Sequence, residues 1–238
     1  MMNTRLSRYA IAPWLLVAAL TGCTVLEPQP DPTQYYILTP ISESAPGENP
    51  QRFATSHSDL AIGVGPITFP GYLKRPEVVT RATGNQLQVS DVKRWGERLD
   101  KNFESVLAQN LGQLLTTQKV ITYPWYGKSR IDYQVEVRVE RFEATENGKA
   151  RLIAVWTIKS GADGAELGTG EFRNETAAAA SSESDATAAL SQSLAELSRE
   201  IAARIAEINA HSPKTPSAAT EIPPSVSHVA QSSSDAKP

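Results

Sequence analysis

Thiols are nearly absent from this chain, in which Cys23 is the only cysteine. No disulfide can form within one copy, so the folded state must rest on its apolar core. With 40% hydrophobic residues, the composition can supply one. Histidine is scarce as well: His57, His211 and His228 are the whole set, and none has a metal-ligand partner at helix or hairpin spacing. No charge of one sign dominates. The formal net charge of −3 gives no electrostatic reason to bind nucleic acid or an anionic membrane face. The apolar run Ile11–Leu20 is about half of the ~20 residues that a membrane-spanning helix needs. Catalytic signatures are also missing. Serines are plentiful, but none stands in a Gly-x-Ser-x-Gly elbow. Gly127-Lys128-Ser129 looks like the end of a phosphate loop whose upstream glycine is missing. Asp132, Glu136 and Glu140 alternate with Gln134 and Arg138, as the wet side of a half-buried strand does. No enzyme, no metal site and no cofactor is expected.

The N-terminus carries a positive signal. Arg5 and Arg8 precede Ile11–Leu20, and small residues follow, which is the order of a secretory signal peptide over residues 1–22. The tetrad Leu20-Thr21-Gly22-Cys23 resembles a bacterial lipobox, in which cleavage before the cysteine is followed by its acylation. Cys23 is therefore the expected lipidation site, and the mature chain, without Arg5 and Arg8, carries about −5. Residues 23–58 read as the lipidated cysteine and a tether. Thr24–Pro32 is proline-rich, Tyr35-Tyr36-Ile37-Leu38 is a short β-prone patch able to pair with a sheet, and Pro40–Ser58 is loop-like. If the patch docks, the free stretch Thr24–Gln34 reaches at most about 36 Å at ~3.3 Å per residue.

Residues 59–209 carry the periodic patterns of one α+β domain, and residues 210–238 form a Ser/Pro/Ala tail too poor in apolar residues to order itself. Leu60–Thr68 alternates as a strand, and Glu77–Arg81 with Gln86–Val89 reads as a hairpin. Ser90 or Asp91 is placed to cap a helix running to about Thr117. Its apolar stripe is Leu99, Phe103, Val106, Leu107, Leu111, Leu114 and Leu115, with Trp95 near its start. Val120–Tyr123 is a short strand, and Ile131–Val139 alternates cleanly, with Phe142 out of parity and a bulge expected near Glu140–Arg141. Asn147-Gly148 marks a hairpin turn. Ala150–Lys159 has apolar residues on both parities, as a strand covered on both faces would. Glu166–Glu175 completes a meander, and Asp185–Ile208 forms a second amphipathic helix. The expected architecture is two amphipathic helices on one face of a mixed sheet, a two-layer α/β sandwich.

One stretch stands out for its content. Gly65–Arg81 concentrates Gly65, Pro66, Pro70, Gly71 and Pro76 with Tyr72, Leu73, Lys74, Arg75 and Arg81. Either it is a rigid turn with solvated cations, or it is a stiff, aromatic and basic edge that a partner grips, since Tyr and Arg are favoured at interface centres. Trp95 has the same two readings, as a core or lid residue or as a binding anchor. The run from Gly65 to Arg81 resembles the fingerprint of the paraquat-inducible PqiC family of auxiliary lipoproteins. The resemblance continues through Tyr35–Leu38, Arg94–Leu99, Tyr123-Pro124-Trp125, the Asp132-Tyr133 strand with Arg141-Phe142, and Ala154-Val155-Trp156. Lys74 and Glu77 depart from the acidic and amide residues of that pattern.

The resemblance implies an α/β sandwich similar to the amino-terminal domain of TolB and a non-catalytic role in envelope lipid transport. It also implies a mammalian-cell-entry (MCE) tunnel protein and its permease as partners. Thr24 after the lipidated cysteine, in place of aspartate, implies sorting to the outer membrane, with the domain facing the periplasm. A rotationally symmetric tunnel favours a homo-oligomeric ring as its cap. Another reading, of a different class, is a TolB-like regulatory lipoprotein that activates a periplasmic cell-wall enzyme. A long free tether would suit that role.

Overall fold

A computed structural model describes residues 30–44, 59–125, 130–147, 149–178 and 183–211. Cys23, His57, Gly127–Ser129 and the tail after His211 lie outside the described residues. Eight strands form one mixed sheet: β1 (Gln34–Tyr36), β2 (Ile62–Thr68), β3 (Glu77–Arg81), β4 (Leu87–Trp95), β5 (Val120–Thr122), β6 (Tyr133–Thr145), β7 (Lys149–Ser160) and β8 (Glu166–Ala177). A single turn α1 (Ile41–Ser44) and two long helices, α2 (Leu99–Leu114) and α3 (Glu183–His211), complete the α+β fold.

The sheet is organised around β6, a long strand that pairs on both edges. On one edge it runs antiparallel to β7, which in turn pairs with β8. On the other edge it forks. Its first half pairs in parallel with β2 (Ile62↔Tyr133), and its last residues pair with β3 (Thr80↔Ala144). β5 lies beyond β2, and β4 then β1 lie beyond β3. The expected bulge is present, with the β6–β7 register shifting between Val139 and Arg141. A second shift falls between Val64 and Ile67 of β2, where Pro66 has no N–H to give to the ladder.

The face of β6 and β7 that carries Val135, Val137, Val139, Leu152, Ala154 and Ile158 is buried under α2 and α3, whose apolar stripes are buried as the periodicity predicts. The opposite face is open, so the expectation that Ala150–Lys159 is covered on both sides does not hold. Ile153 and Val155 are only half-buried, and their face carries ion pairs such as Lys159–Glu136 at 2.8 Å and Arg151–Glu175. β8, a long edge strand, is lined there by Glu171, Arg173 and Glu175, which discourages edge-to-edge pairing.

The helix expected from Ser90 or Asp91 starts later, at Leu99. Residues up to Trp95 stay extended because β3 and β1 hold β4 from both sides. β1 itself pairs in parallel with β4 (Tyr36↔Trp95), as the aromatic patch allowed. The chain then crosses the helix layer, and its backbone amides are met by side chains. Asn102 Oδ1 accepts from Leu38 N at 2.7 Å, Ser191 Oγ from Thr39 N at 3.1 Å and Asn110 Oδ1 from Ile41 N at 2.9 Å. Leu38, Pro40 and Ile41 are buried there. This strap is part of the core, so among the described residues the folded unit includes Gln34–Ser44, upstream of Asp59.

Candidate functional site

The proline and glycine content of Gly65–Arg81 produces one rigid corner. Pro70 caps the 3-10 turn Gly71–Leu73, with Leu73 N donating to Pro70 O at 3.1 Å and Lys74 N to Gly71 O at 3.2 Å. Phe69 fastens the corner to the core, packing edge-to-face on Phe103 of α2 at 5.3 Å and on Phe142 of β6 at 6.4 Å. Such aromatic pairs contribute about 0.5–1.5 kcal/mol beyond their burial. Gly65 sits at φ +120°, and a Cβ there would lie 2.5 Å from Tyr123 Cβ and 2.9 Å from Glu104 Oε1. Gly65→Ala is therefore expected to cost about 2–3 kcal/mol through backbone strain and crowding, read as a lower urea midpoint with an unchanged slope.

The corner and the β4–α2 junction enclose a groove of about 450 Å³. Phe69, Leu73 and Pro76 line one side with Lys74 and Arg75, and Trp95 and Leu99 line the other. Two backbone bonds hold the walls in place: Trp95 N donates to Pro76 O at 2.7 Å, and Gly96 N to Tyr36 O at 2.7 Å. Leu73 and Trp95 are mostly buried, so each shows the groove only a fraction of its surface. Lys74 and Arg75 are exposed. Arg75 is loosely paired with Glu77 at 3.9 Å, whereas the Lys74 side chain has no hydrogen bond or ion pair among the described residues. Trp95, expected near the start of a helix capped by Ser90 or Asp91, instead ends β4 and lines the groove.

Tyr72 and Arg81 are placed elsewhere. Both are committed to Glu143, a β6 carboxylate that is only 1% exposed. Arg81 Nε donates to Glu143 Oε1 at 2.6 Å, and the Tyr72 hydroxyl donates to Oε2 at 2.6 Å. Phe142 N adds a third bond at 3.1 Å, and the Arg81 guanidinium stands 5.9 Å from the centre of the Tyr72 ring. Burial, reinforced by the adjacent carboxylate, pushes the Tyr72 hydroxyl well above its ordinary range, and the Glu143 carboxylate holds the Arg81 guanidinium more firmly protonated. Arg81 is thus a structural cation and not a solvated one. Glu143 does not stand out in the sequence, because past the bulge its parity on β6 is that of the wet face, opposite Arg151.

Among the described residues there is no cluster of three or more His, Cys, Asp or Glu able to hold a metal, and His211 Nδ1 lies 2.7 Å from Glu207 O at the end of α3. No described helix is long and apolar enough to cross a membrane. What the corner offers is a shaped surface with an apolar floor and a rim of mixed charge, where Lys74, Arg75 and Arg98 stand with Glu97 and Asp100.

The model of one protein family, the ABC-type transport auxiliary lipoprotein component, matches residues 40–202. The chain belongs to this family. The PqiC-type resemblance carried by Gly65–Arg81 is thereby borne out. No curated protein matches the sequence. Among solved structures, protein XCC0632 from Xanthomonas campestris, of the DUF330 family, superposes with a TM-score of 0.59 at 17% identity, over 75% of this chain and 97% of that one. A crystal structure of an uncharacterized protein superposes with a TM-score of 0.58 at 19% identity, over 73% and 98% of the two chains. These two likenesses show the fold, two helices on one face of a mixed sheet. The family match adds an envelope lipoprotein associated with a transporter, and the groove lies within the matched residues.

Proposed function

We propose that this auxiliary lipoprotein, acylated at Cys23 and facing the periplasm from the outer membrane, caps the distal end of an MCE-type lipid-transport tunnel. The permease of that system lies at the tunnel's other end. In this reading a homo-oligomeric ring matches the rotational symmetry of a tunnel. The observation that carries the proposal is the groove. It joins the two stretches, Gly65–Arg81 and Arg94–Leu99, that bear the densest family resemblance, and Leu73, Lys74, Arg75 and Trp95 meet there. Trp95 and Arg75 are of the residue types favoured at interface hot spots, and both line the groove. Tyr72 and Arg81 serve the same surface from beneath, by fixing the corner. The docked strap supports the cap over the cell-wall activator, because it removes the long tether that the activator needs.

The test is recovery of the MCE-type protein with the delipidated chain. Lys74→Glu combined with Arg75→Glu, both exposed positions, is expected to weaken recovery at least tenfold, about 1.4 kcal/mol, while the thermal midpoint stays within a few degrees. Equal recovery by the variant would refute the groove as the docking site. No recovery by the wild-type chain would refute the tunnel assignment.

A further inference from the structure

We propose that the β1–β4 edge of the sheet rests on the lipid bilayer, with Tyr35, Ile37, Val89 and Val92 entering the headgroup–acyl boundary. This inference rests on the membrane-anchoring reading above. Five large apolar side chains are exposed among the described residues: Tyr35 at 67%, Ile37 at 54%, Val89 at 41%, Val92 at 36% and Tyr123 at 45%. Singly scattered exposed apolar residues need no explanation. Here four of the five fall on two hydrogen-bonded neighbours, β4 and β1 with the residue that follows β1, at one end of the strand order β1-β4-β3-β6-β2-β5. Tyr123 follows β5, at the other end.

An apolar sheet edge commonly invites another strand, and this one is built against that. β4 bulges between the pairs Val79↔Val89 and Glu77↔Arg94, and Ser90 Oγ takes up Lys93 N at 2.9 Å inside the bulge. β1 is three residues long. The bond from Gly96 N to Tyr36 O places the backbone groups of Tyr36 toward β4, so Pro32 and Pro30, at alternate positions upstream, have no N–H to give β4 and keep β1 short. A bilayer needs no strand register. It asks only for apolar and aromatic side chains at the right height, and Tyr is favoured at that depth.

Tether length supplies the height. β1 is the first element after Thr24–Gln34, a stretch of at most about 36 Å from a lipid-anchored Cys23. A weak apolar contact so close to its own anchor is reinforced by high effective concentration. Gly96 lies beside Tyr35, so the groove would open at the membrane surface, where a tunnel must end.

The experiment uses the mature lipidated chain in vesicles of phosphatidylethanolamine and phosphatidylglycerol. Acylation consumes the thiol of Cys23, so a single cysteine introduced as Tyr35→Cys, Ile37→Cys, Val89→Cys, Val92→Cys or Tyr123→Cys is the only site for a polarity-sensitive dye. Dyes at 35, 37, 89 and 92 are expected to be quenched at least twofold by doxyl-labelled phospholipid, at low salt and at 0.5 M salt alike, while the dye at 123 is not. Equal quenching at 123, or none at the four sites, overturns the proposal. So does shielding of the four sites before lipid is added, accompanied by a doubled mass, which would assign the edge to a second copy. Flotation of the unlabelled protein reads the anchoring separately. A chain that floats with unquenched dyes refutes this face and keeps the anchor, and a chain that does not float refutes both.

Discussion

Arg81→Ala is expected to destabilise the fold by about 3–5 kcal/mol, the range found when one partner is removed from a buried ion pair. The Glu143 side chain has no solvent exposure, and that of Arg81 retains 16%. Without the guanidinium, the carboxylate would keep two donors, the Tyr72 hydroxyl and Phe142 N, but no compensating charge. The loss should appear as a lower urea midpoint with an unchanged slope, since the surface exposed on unfolding barely changes. Two further variants separate charge from packing. Tyr72→Phe removes one hydrogen bond and should cost about 1 kcal/mol. Adding Glu143→Leu and Tyr72→Phe to Arg81→Ala should recover most of the loss, because a buried polar network replaced by apolar groups is often nearly neutral. An Arg81→Ala protein within about 1 kcal/mol of wild type would show that water reaches Glu143. The consequence for function is indirect: Tyr72 precedes Leu73 and Lys74, so a loosened network should also blur the groove wall.

That network marks the limit of what can be read in the chain. Regular stretches are legible, since Ile131–Val139 alternates and its odd residues from Tyr133 onward are buried, and the seven-residue stripe from Leu99 to Leu115 lies under the sheet. The out-of-parity Phe142 announces the bulge. Ser90 misleads for a physical reason: its hydroxyl does accept an N–H three residues on, as a helix cap does, yet it does so inside a strand bulge. Local bonding cannot reveal that β1 and β3 hold that segment extended. Glu143 is hidden in the same way. Its wet parity on β6 is overridden because a turn some seventy residues upstream folds over it, the hydrogen bond from Tyr72 spanning 71 residues of sequence. For the candidate site, composition locates the corner and Trp95, but which side chains face outward depends on a pairing partner that no spacing rule predicts. Leu73, Lys74, Arg75 and Trp95 meet at the groove, while Tyr72 and Arg81 support it from inside.

Cys23→Ala should shift essentially the whole population from the membrane to the soluble periplasmic fraction and abolish function without altering the thermal midpoint. Each buried acyl methylene contributes about 0.8 kcal/mol and one chain alone binds only marginally, so the proposed anchoring needs more than one acyl chain on Cys23. The fold has no need of it. β1 is held by β4 and the strap by Asn102, Asn110 and Ser191, all of which depend on residues from Gln34 onward. A second variant then separates attachment from distance. Inserting about 20 flexible Gly/Ser residues between Gln29 and Pro30 adds a mean span of about 25 Å while leaving the acylated end intact. This protein should stay in the membrane fraction, yet recover less MCE-type partner and lose quenching at Tyr35→Cys and Val92→Cys, because the edge is no longer held at the surface. Full activity of the soluble Cys23→Ala form would refute the anchored cap. Full activity of the lengthened form alone would keep the anchor and refute the need for a short tether.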